Sequence, residues 1–294
     1  MACASPVDSG KSTEDLFAHY RIAESPGGLS IPQEGINDQR IRDILFDERT
    51  PPLSSLELSG NRIGTEGLKA ILKSPKTSGL NFLNLSHNRL DDDSIKLLSE
   101  SPILHQIEQL LLGGNRLSAE SASTLAAAIE PHSRLRTLSL GDQSIGDKGA
   151  ESLSKLKTVR TLSLESAEIS ATGASHLLAH TRAQTLVLKN NPLHQGTFNI
   201  ENISSALEQA DLRDCAIDSS TMRDLGKASG SESWTSLRLD NNPLGNDGIA
   251  ELGKALWLKD LEKLTVHESG ADLDVRKTLR ELWGKRGGLK VEPR

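Results

Sequence analysis

Residues 53–63, LSSLELSGNRI, form the stretch that decides the fold. Four apolar side chains and one asparagine stand in the frame LxxLxLxxNxI: Leu53, Leu56, Leu58, Asn61 and Ile63. The fourth and sixth positions are two residues apart, so on a β-strand their side chains point to the same side. The stretch therefore predicts a short strand whose Leu56 and Leu58 face a core.

The frame returns along nearly the whole chain of 294 residues. Its first residues are Leu53, Leu80, Ile107, Leu135, Val159, Ala183, Leu207, Trp234 and Leu261. Neighbouring frames lie 27, 27, 28, 24, 24, 24, 27 and 27 residues apart. A degraded frame precedes them, with Leu29, Ile31 and Ile36 in place and Glu34 where Asn is expected. Such a period indicates stacked repeats rather than a closed globule. We call each repeat a coil and name it by its first residue.

Each frame is followed by a segment with helical spacing, such as Gly149-Ala150 with Leu153 and Leu156. Strand, turn, helix and return loop then make one coil, and neighbouring coils bury each other's apolar side chains. The sequence predicts an α/β fold, a right-handed solenoid or horseshoe with parallel strands on the concave face and helices on the convex face. The stretch 196–204 lacks a helix start, so an irregular convex side is expected there.

Asparagine at the ninth position of the frame is expected to bind the unpaired backbone of the turn that leaves the strand. It is present as Asn61, Asn88, Asn115, Asn191 and Asn242. Three coils depart from the rule, with Gln143, Ala167 and Cys215 in that position. Gln and Cys can still form weak hydrogen bonds, whereas the turn at Ala167 is predicted to be looser or filled with water.

Three regions are predicted along the chain. Residues 1–28 form a disordered N-terminus followed by a capping helix over about residues 12–23, with Leu16, Phe17 and Tyr20 on its apolar face. Residues 29–271 form the solenoid. Residues 272–294 form a C-terminal cap, with a helix to about Trp283 and a last edge strand at Leu289 and Val291.

Composition limits the class of function. The formal net charge is −6, which argues against a nucleic-acid scaffold or a protein that binds anionic membranes. Two distant cysteines, Cys3 and Cys215, predict a reducing, cytoplasmic environment. The first residues have neither a basic nor an apolar segment of a Sec signal, and no apolar run is long enough to span a bilayer. No cofactor is predicted, and a monomer is expected.

The frame and its length resemble the ribonuclease-inhibitor-type leucine-rich repeats over roughly residues 29–291. Segments 145–164 and 169–188 are also similar to the 24-residue repeats of GALA-type effectors from plant-pathogenic bacteria. Those effectors carry an F-box before their repeats, and residues 1–50 show no convincing F-box pattern. The Ser-rich N-terminus is similar to type III secretion leaders. This resemblance implies a solenoid that binds proteins and an exported bacterial effector.

Frame positions three, five and seven alternate with the buried ones, so we expect them on the concave face. In the N-terminal coils these positions are small or apolar, whereas in the C-terminal coils they are charged. Phe82 beside Leu111 is a candidate apolar anchor, and Arg213 with Arg238 are candidate polar anchors. The predicted partner-binding residues are Phe82, Asn84, Leu111, Glu165, Lys189, Asp211, Arg213, Arg238, Asp240 and His267. Alternatively, the charged residues only form cross-strand ion pairs.

Other candidate sites have simpler interpretations. His176 and His180 are four residues apart on a predicted helix, but two histidines without a third ligand do not define a metal site. Gly10-Lys11-Ser12 lacks the first glycine and the preceding strand of a phosphate-binding loop. Residues 91–93 are all aspartate and favour a helix N-terminus. Cys215 is expected to be a buried structural thiol rather than a nucleophile.

The sequence therefore predicts a protein-binding module that is not an enzyme. A small-GTPase activator is a second hypothesis, although such activators have an acidic tail and this chain ends in GKRGGLKVEPR. A ubiquitin ligase, or its substrate-recognition subunit, is a third. A ligase with a catalytic cysteine would need a separate domain, and the repeats leave no stretch of about 80 residues for one.

Overall fold

The computed structural model describes residues 27–129, 133–229, 233–255, 261–272, 274, 277 and 290–291. The chain forms two compact units, Met1–Gln143 and Ser144–Arg294. Within each unit the successive strands pair in parallel. Helices connect most of these strands, as parallel pairing requires a crossover. The predicted α/β leucine-rich-repeat fold is confirmed.

The first unit contains five strands and five α-helices among the residues described. The strands are β1 (Gly28–Ser30), β2 (Ser55–Glu57), β3 (Phe82–Asn84), β4 (Gln109–Leu111) and β5 (Thr137–Ser139). The helices are α1 (Asp38–Phe46), α2 (Thr65–Lys73), α3 (Asp92–Ser99), α4 (Ile103–Gln106) and α5 (Ala119–Ile129), with a 3₁₀ turn at Pro75–Thr77.

The second unit contains six strands and four helices of eight to ten residues in its described part. The strands are β6 (Thr161–Ser163), β7 (Thr185–Val187), β8 (Gln209–Asp211), β9 (Ser236–Arg238), β10 (Lys263–Thr265) and β11 (Lys290–Val291). The helices are α6 (Gly146–Leu153), α7 (Ala171–His180), α8 (Ser219–Lys227) and α9 (Gly245–Lys254).

The strand registers follow the frame without a slip. In the first unit Leu56, Leu83, Leu110 and Leu138 are register partners from β2 to β5, and all four are fully buried. In the second unit the corresponding column is Leu162, Leu186, Ala210, Leu237 and Leu264. A shift by one residue would turn these side chains to solvent, so the hydrophobic pattern fixes the pairing.

The frame asparagines connect neighbouring coils, as Asn88 shows. Its Nδ2 donates to the carbonyl oxygens of Leu58 at 2.9 Å, in the preceding coil, and Leu85 at 3.1 Å, in its own coil. Its Oδ1 accepts from the backbone N–H of Ile63 at 2.9 Å. Asn61, Asn115, Asn191 and Asn242 bind in the same way. The predicted role of these residues is confirmed, and the bonds also extend to the preceding coil.

The coils without asparagine behave differently. Gln143 makes longer bonds, 3.3 Å from Nε2 to the Leu112 oxygen and 3.4 Å from the Leu117 N–H to Oε1. The Cys215 sulfur lies 3.2 Å from both the Leu188 and the Arg213 oxygen, and its one S–H donates to either of them. The predicted weak bonding of Gln and Cys is therefore confirmed. Ala167 is fully buried and its N–H is paired with Asn191, while a looser or water-filled turn there stays a prediction.

Left-handed backbone marks the turn of every described coil. The residue at position eight has a positive φ in each: Gln33, Gly60, His87, Gly114, Asp142, Ser166, Asn190, Asp214, Asn241 and Glu268. A second left-handed residue occurs at position ten only where position nine is neither Asn nor Gln. These residues are Gly35, Glu168, Ala216 and Gly270, which follow Glu34, Ala167, Cys215 and Ser269. Without the amide side chain, the turn takes a different backbone path.

Aspartates at the helix starts make a second set of connections that the sequence prediction missed. Asp38 accepts from the Gly64 N–H at 2.7 Å, where α2 begins. Asp92 accepts from the N–H and hydroxyl of Ser118 at 3.0 and 2.8 Å, and Asp147 does the same for Ser170. Each carboxylate lies in the first turn of its own helix and accepts hydrogen bonds from the residue that precedes a helix of the following coil.

Among the coils whose convex segments the structure describes, one lacks a helix. Between β7 and β8 the chain is irregular, and Phe198, Ile200 and Ile203 fill the space with buried side chains. This confirms the prediction for the stretch 196–204. A parallel connection does not need a helix if apolar side chains still cover the core, and these three residues do so.

The predicted ends lie mainly outside the described residues. The N-terminal capping helix falls there completely. Of the C-terminal helix, Asp274 and Lys277 are described and both are helical. The last edge strand is confirmed at Lys290–Val291, which pairs in parallel with β10, while Leu289 is not among the described residues.

Candidate functional site

The solvent-facing side of the strands, which we call the strand face, carries frame positions three, five and seven. Positions four and six are buried, so the alternation of the strand turns the odd positions away from the core. The short strands pair with fixed registers, and this holds the exposed side chains at regular spacing. Each unit thus presents a rigid array, and the two arrays differ in chemistry.

The array of the first unit contains two large apolar side chains, Phe82 and Leu111. Both are half-buried, not fully exposed. Phe82 is the register partner of Gln109, and Leu111 that of Asn84, so the two side chains are diagonal neighbours on β3 and β4. Diagonal neighbours are about 7–8 Å apart, within reach of an aromatic side chain. The pair is therefore placed to form a small apolar patch.

The polar groups beside this patch bind one another. Asn84 donates from Nδ2 to Glu57 Oε2 at 2.6 Å and accepts from the Ser86 N–H at 2.9 Å. Glu57 Oε1 accepts from the Ser59 N–H at 2.8 Å. Asn84 is thus held by its neighbours within the face, and Phe82 and Leu111 form the part of this surface that lacks polar groups.

The array of the second unit begins with an ion pair. Lys189 Nζ lies 2.7 Å from Glu165 Oε1, on neighbouring coils. This hydrogen bond is the main reason that the pKa of Lys189 is raised above its usual value. Both side chains are about a third exposed, so solvent screening limits the pair to a weak contribution to stability.

Asp211 is at the centre of the charged array. Arg213 binds it with two parallel hydrogen bonds, Nε to Oδ1 at 2.8 Å and Nη2 to Oδ2 at 2.7 Å. The hydrogen bond to Asp211 is the largest cause of the raised pKa of Arg213. Arg238, on the next strand, lies farther away, with Nη1 at 3.4 Å from Asp211 Oδ2. The predicted ion pairs therefore exist, but the stronger one joins two residues of the same coil.

Asp240 is held by the last coil. It accepts from the Thr265 hydroxyl at 2.5 Å and from the backbone N–H of His267 at 2.8 Å. The His267 ring approaches the same carboxylate, with Nδ1 at 3.1 Å from Oδ1. The structure thus brings the charged candidates together in one array, and it pairs most of them internally.

The surroundings of the other described candidate residues indicate structural roles. Burial raises the pKa of the Cys215 thiol to about 12, which does not suit a nucleophile at neutral pH. The rings of His176 and His180 are stacked with centroids 5.9 Å apart on an exposed part of α7. Asp91 caps α3 through the Ser94 N–H at 3.0 Å. The Gly10-Lys11-Ser12 segment lies outside the described residues.

Two kinds of feature are absent from the described part of the chain. It contains no group of three or more His, Cys, Asp or Glu side chains arranged to hold a metal ion. It also contains no helix with the length and apolar character that crossing a bilayer requires.

Comparison with known proteins supports the repeat type. A family model described as "Leucine Rich repeat" matches residues 51–72 and 80–99. The ribonuclease inhibitor of Mus musculus is 32% identical over 149 residues, which cover 46% of this chain and 33% of that protein. This chain therefore spans about a third of the length of that relative. These sequence matches support leucine-rich repeats of the ribonuclease-inhibitor type.

A solved complex shows a distant likeness to most of the chain. It is the plant peptide hormone receptor RGFR1 in complex with RGF2, with a TM-score of 0.40 and 16% sequence identity. The alignment covers 82% of this chain and 40% of that chain.

Proposed function

We propose that this chain is a non-catalytic module that binds a partner protein through its strand face. The observation that carries the proposal is the patch of Phe82 and Leu111, held on neighbouring strands in a fixed register. Half-buried apolar side chains on a rigid surface can anchor a partner at low entropic cost. Repeat proteins use such extended surfaces for recognition, and the similar ribonuclease inhibitor is named for the protein it inhibits.

A photo-crosslinking experiment tests the face. A photoreactive amino acid at Gln109, which is exposed beside Phe82, should capture a discrete partner. The same amino acid at Glu66, which is exposed on α2, provides the matched control. We expect Phe82→Ala with Leu111→Ala to lower capture at Gln109 at least tenfold. Equal capture from both positions, or capture that the double variant leaves unchanged, would move the binding site elsewhere.

The finer proposal is an exported bacterial effector that acts as a monomer in the reducing cytoplasm of a host cell. It is supported by the likeness of segments 145–164 and 169–188 to the repeats of GALA-type effectors. A translocation assay with residues 1–50 fused to a reporter enzyme tests it. Reporter activity inside host cells should require a functional type III system, and activity that persists without that system would contradict this proposal.

A further inference from the structure

We propose that Arg238 binds an acidic side chain of the partner protein and is the polar anchor of the second unit. This inference rests on the proposed function and names the chemistry of the partner at this part of the strand face. Phe82 and Leu111 would select an apolar group, whereas Arg238 would select a carboxylate.

The first observation concerns competition for Asp211. Arg213 occupies both carboxylate oxygens at 2.8 and 2.7 Å, within the range of strong charge-assisted hydrogen bonds. Arg238 reaches the same carboxylate only at 3.4 Å. Its Nε is buried and has no hydrogen-bond partner. The internal contacts therefore leave this guanidinium incompletely satisfied.

The second observation is that the neighbouring carboxylate is already occupied. Asp240, two residues along the chain from Arg238, accepts hydrogen bonds from the Thr265 hydroxyl and the His267 backbone, and contacts the His267 ring. The register partner of Arg238 on β10 is Thr265, which carries no charge. Rearranging these groups around Arg238 would break bonds that Asp240 and Asp211 now make.

The third observation is the access of solvent to the cation. The side chain of Arg238 is 43% exposed, against 27% for Arg213 and 31% for Lys189. Because Nε is enclosed, the exposed part of the guanidinium is its outer end. Two terminal nitrogens in one plane match the two oxygens of a carboxylate, and a partly enclosed stem loses less freedom on binding. Lys189 and Arg213 each already have a carboxylate at 2.7 Å.

Titration with a defined peptide tests the inference. The probe is an acetylated, amidated peptide of alternating Glu and Gly, and the matched control replaces each Glu by Gln. We expect millimolar binding of the Glu peptide, followed by NMR of the arginine Nε–H groups, with the largest shift at Arg238. Arg238→Gln should weaken binding at least fivefold. Asp211→Asn should strengthen it, because it removes the competing carboxylate from both arginines.

Several outcomes would overturn the inference. Equal affinity for the Glu and Gln peptides, an unchanged affinity in Arg238→Gln, or weaker binding in Asp211→Asn would each do so. Tighter binding of inorganic phosphate than of the Glu peptide would also overturn it, because the site would then select a small anion and not a protein side chain. The gain expected from Asp211→Asn does not depend on whether Arg238→Gln folds.

The two proposals can fail separately. A partner captured at Gln109 whose affinity is the same for Arg238→Gln leaves the binding function intact and rejects the anchor. Binding of the Glu peptide at Arg238 without any captured partner supports the anchor chemistry and rejects the proposed face of the first unit.

Discussion

The turn after β3 and the turn after β8 use different side chains to bind their backbone groups. After β3, Asn88 makes hydrogen bonds to four backbone groups, those of Leu58, Leu85, Ser86 and Ile63. After β8, the Cys215 sulfur lies 3.2 Å from two carbonyl oxygens, and the next residue, Ala216, is left-handed with φ of 53°. Loss of the amide thus changes the backbone path, while the strand register on both sides is kept.

The coils without asparagine also depend on the coil that follows them. The N–H of Cys215 and that of Ile217 both donate to Asn242, at 3.0 and 2.9 Å. Ala167 and Ile169 donate in the same way to Asn191. A coil can therefore lose its own asparagine and still be held by its neighbour, because each amide satisfies the backbone of the preceding turn as well as its own.

The largest expected effect comes from breaking an asparagine turn. Asn88→Ala leaves the buried N–H of Ile63 without a partner, at about 1–3 kcal/mol. It also removes one of the two amide donors from each of the Leu58 and Leu85 oxygens, so we expect a total loss of about 2–4 kcal/mol. Urea unfolding measures this free energy. Asn81→Ala is the matched control in the same coil, since Asn81 is exposed, and should stay within about 0.5 kcal/mol. Similar values for both variants would contradict the role of the asparagine.

A smaller effect comes from ionising Cys215. Its folded pKa of about 12 exceeds the ordinary thiol value of 9.0, so this thiol loses its proton first in the unfolded chain as the pH rises. Stability is therefore fully present below pH 9 and falls between pH 9 and 12. By pH 10 ionisation of this thiol in the unfolded chain should lower the free energy of unfolding by roughly 1 kcal/mol.

Comparison of two variants isolates this pH dependence. Urea unfolding at pH 7 and pH 10 should show a larger loss for Cys3→Ser than for Cys3→Ser with Cys215→Ala. The shared Cys3→Ser change removes the other thiol of the chain. An equal loss in both proteins would show that Cys215 is not protected from ionisation by burial.

The smallest expected change in the free energy of unfolding comes from placing glycine at frame position ten. Ala216→Gly relieves a left-handed alanine, at about 1–2 kcal/mol, and increases the freedom of the unfolded chain, at about 0.4–1 kcal/mol. We expect a net gain of about 0.5–1 kcal/mol. Arg89→Gly at the same frame position of an asparagine coil should lose a similar amount, because Arg89 is not left-handed. Urea unfolding measures both free energies. If the two variants changed in the same direction, the proposed difference between turns with and without asparagine would be wrong.

The fold was largely predictable because one physical constraint repeats. Leu56 and Leu83 are buried register partners, as the 27-residue step between their frames predicted. The role of Asn61 was predictable for the same reason. The aspartate connections were missed because Asp38, Asp92 and Asp147 also match an ordinary preference of helix N-termini for acidic residues.

The candidate site was predictable in position but not in pairing. Alternation along a strand places Phe82, Leu111, Asp211 and Arg238 on the strand face. Sequence spacing could not show that Arg213 takes both oxygens of Asp211, since that choice depends on the rotamers of long side chains. It also did not show that Phe82 is half-buried.

The sequence by itself determined the repeat, the strand register and the composition of the strand face, because burying a periodic row of leucines permits one alignment of neighbouring coils. The tertiary structure decided which polar groups remain available. Hydrogen bonds and ion pairs form between coils about 24–30 residues apart, and their geometry depends on distances that no single coil contains. Arg238 differs from Arg213 for that reason, although both occupy the same face.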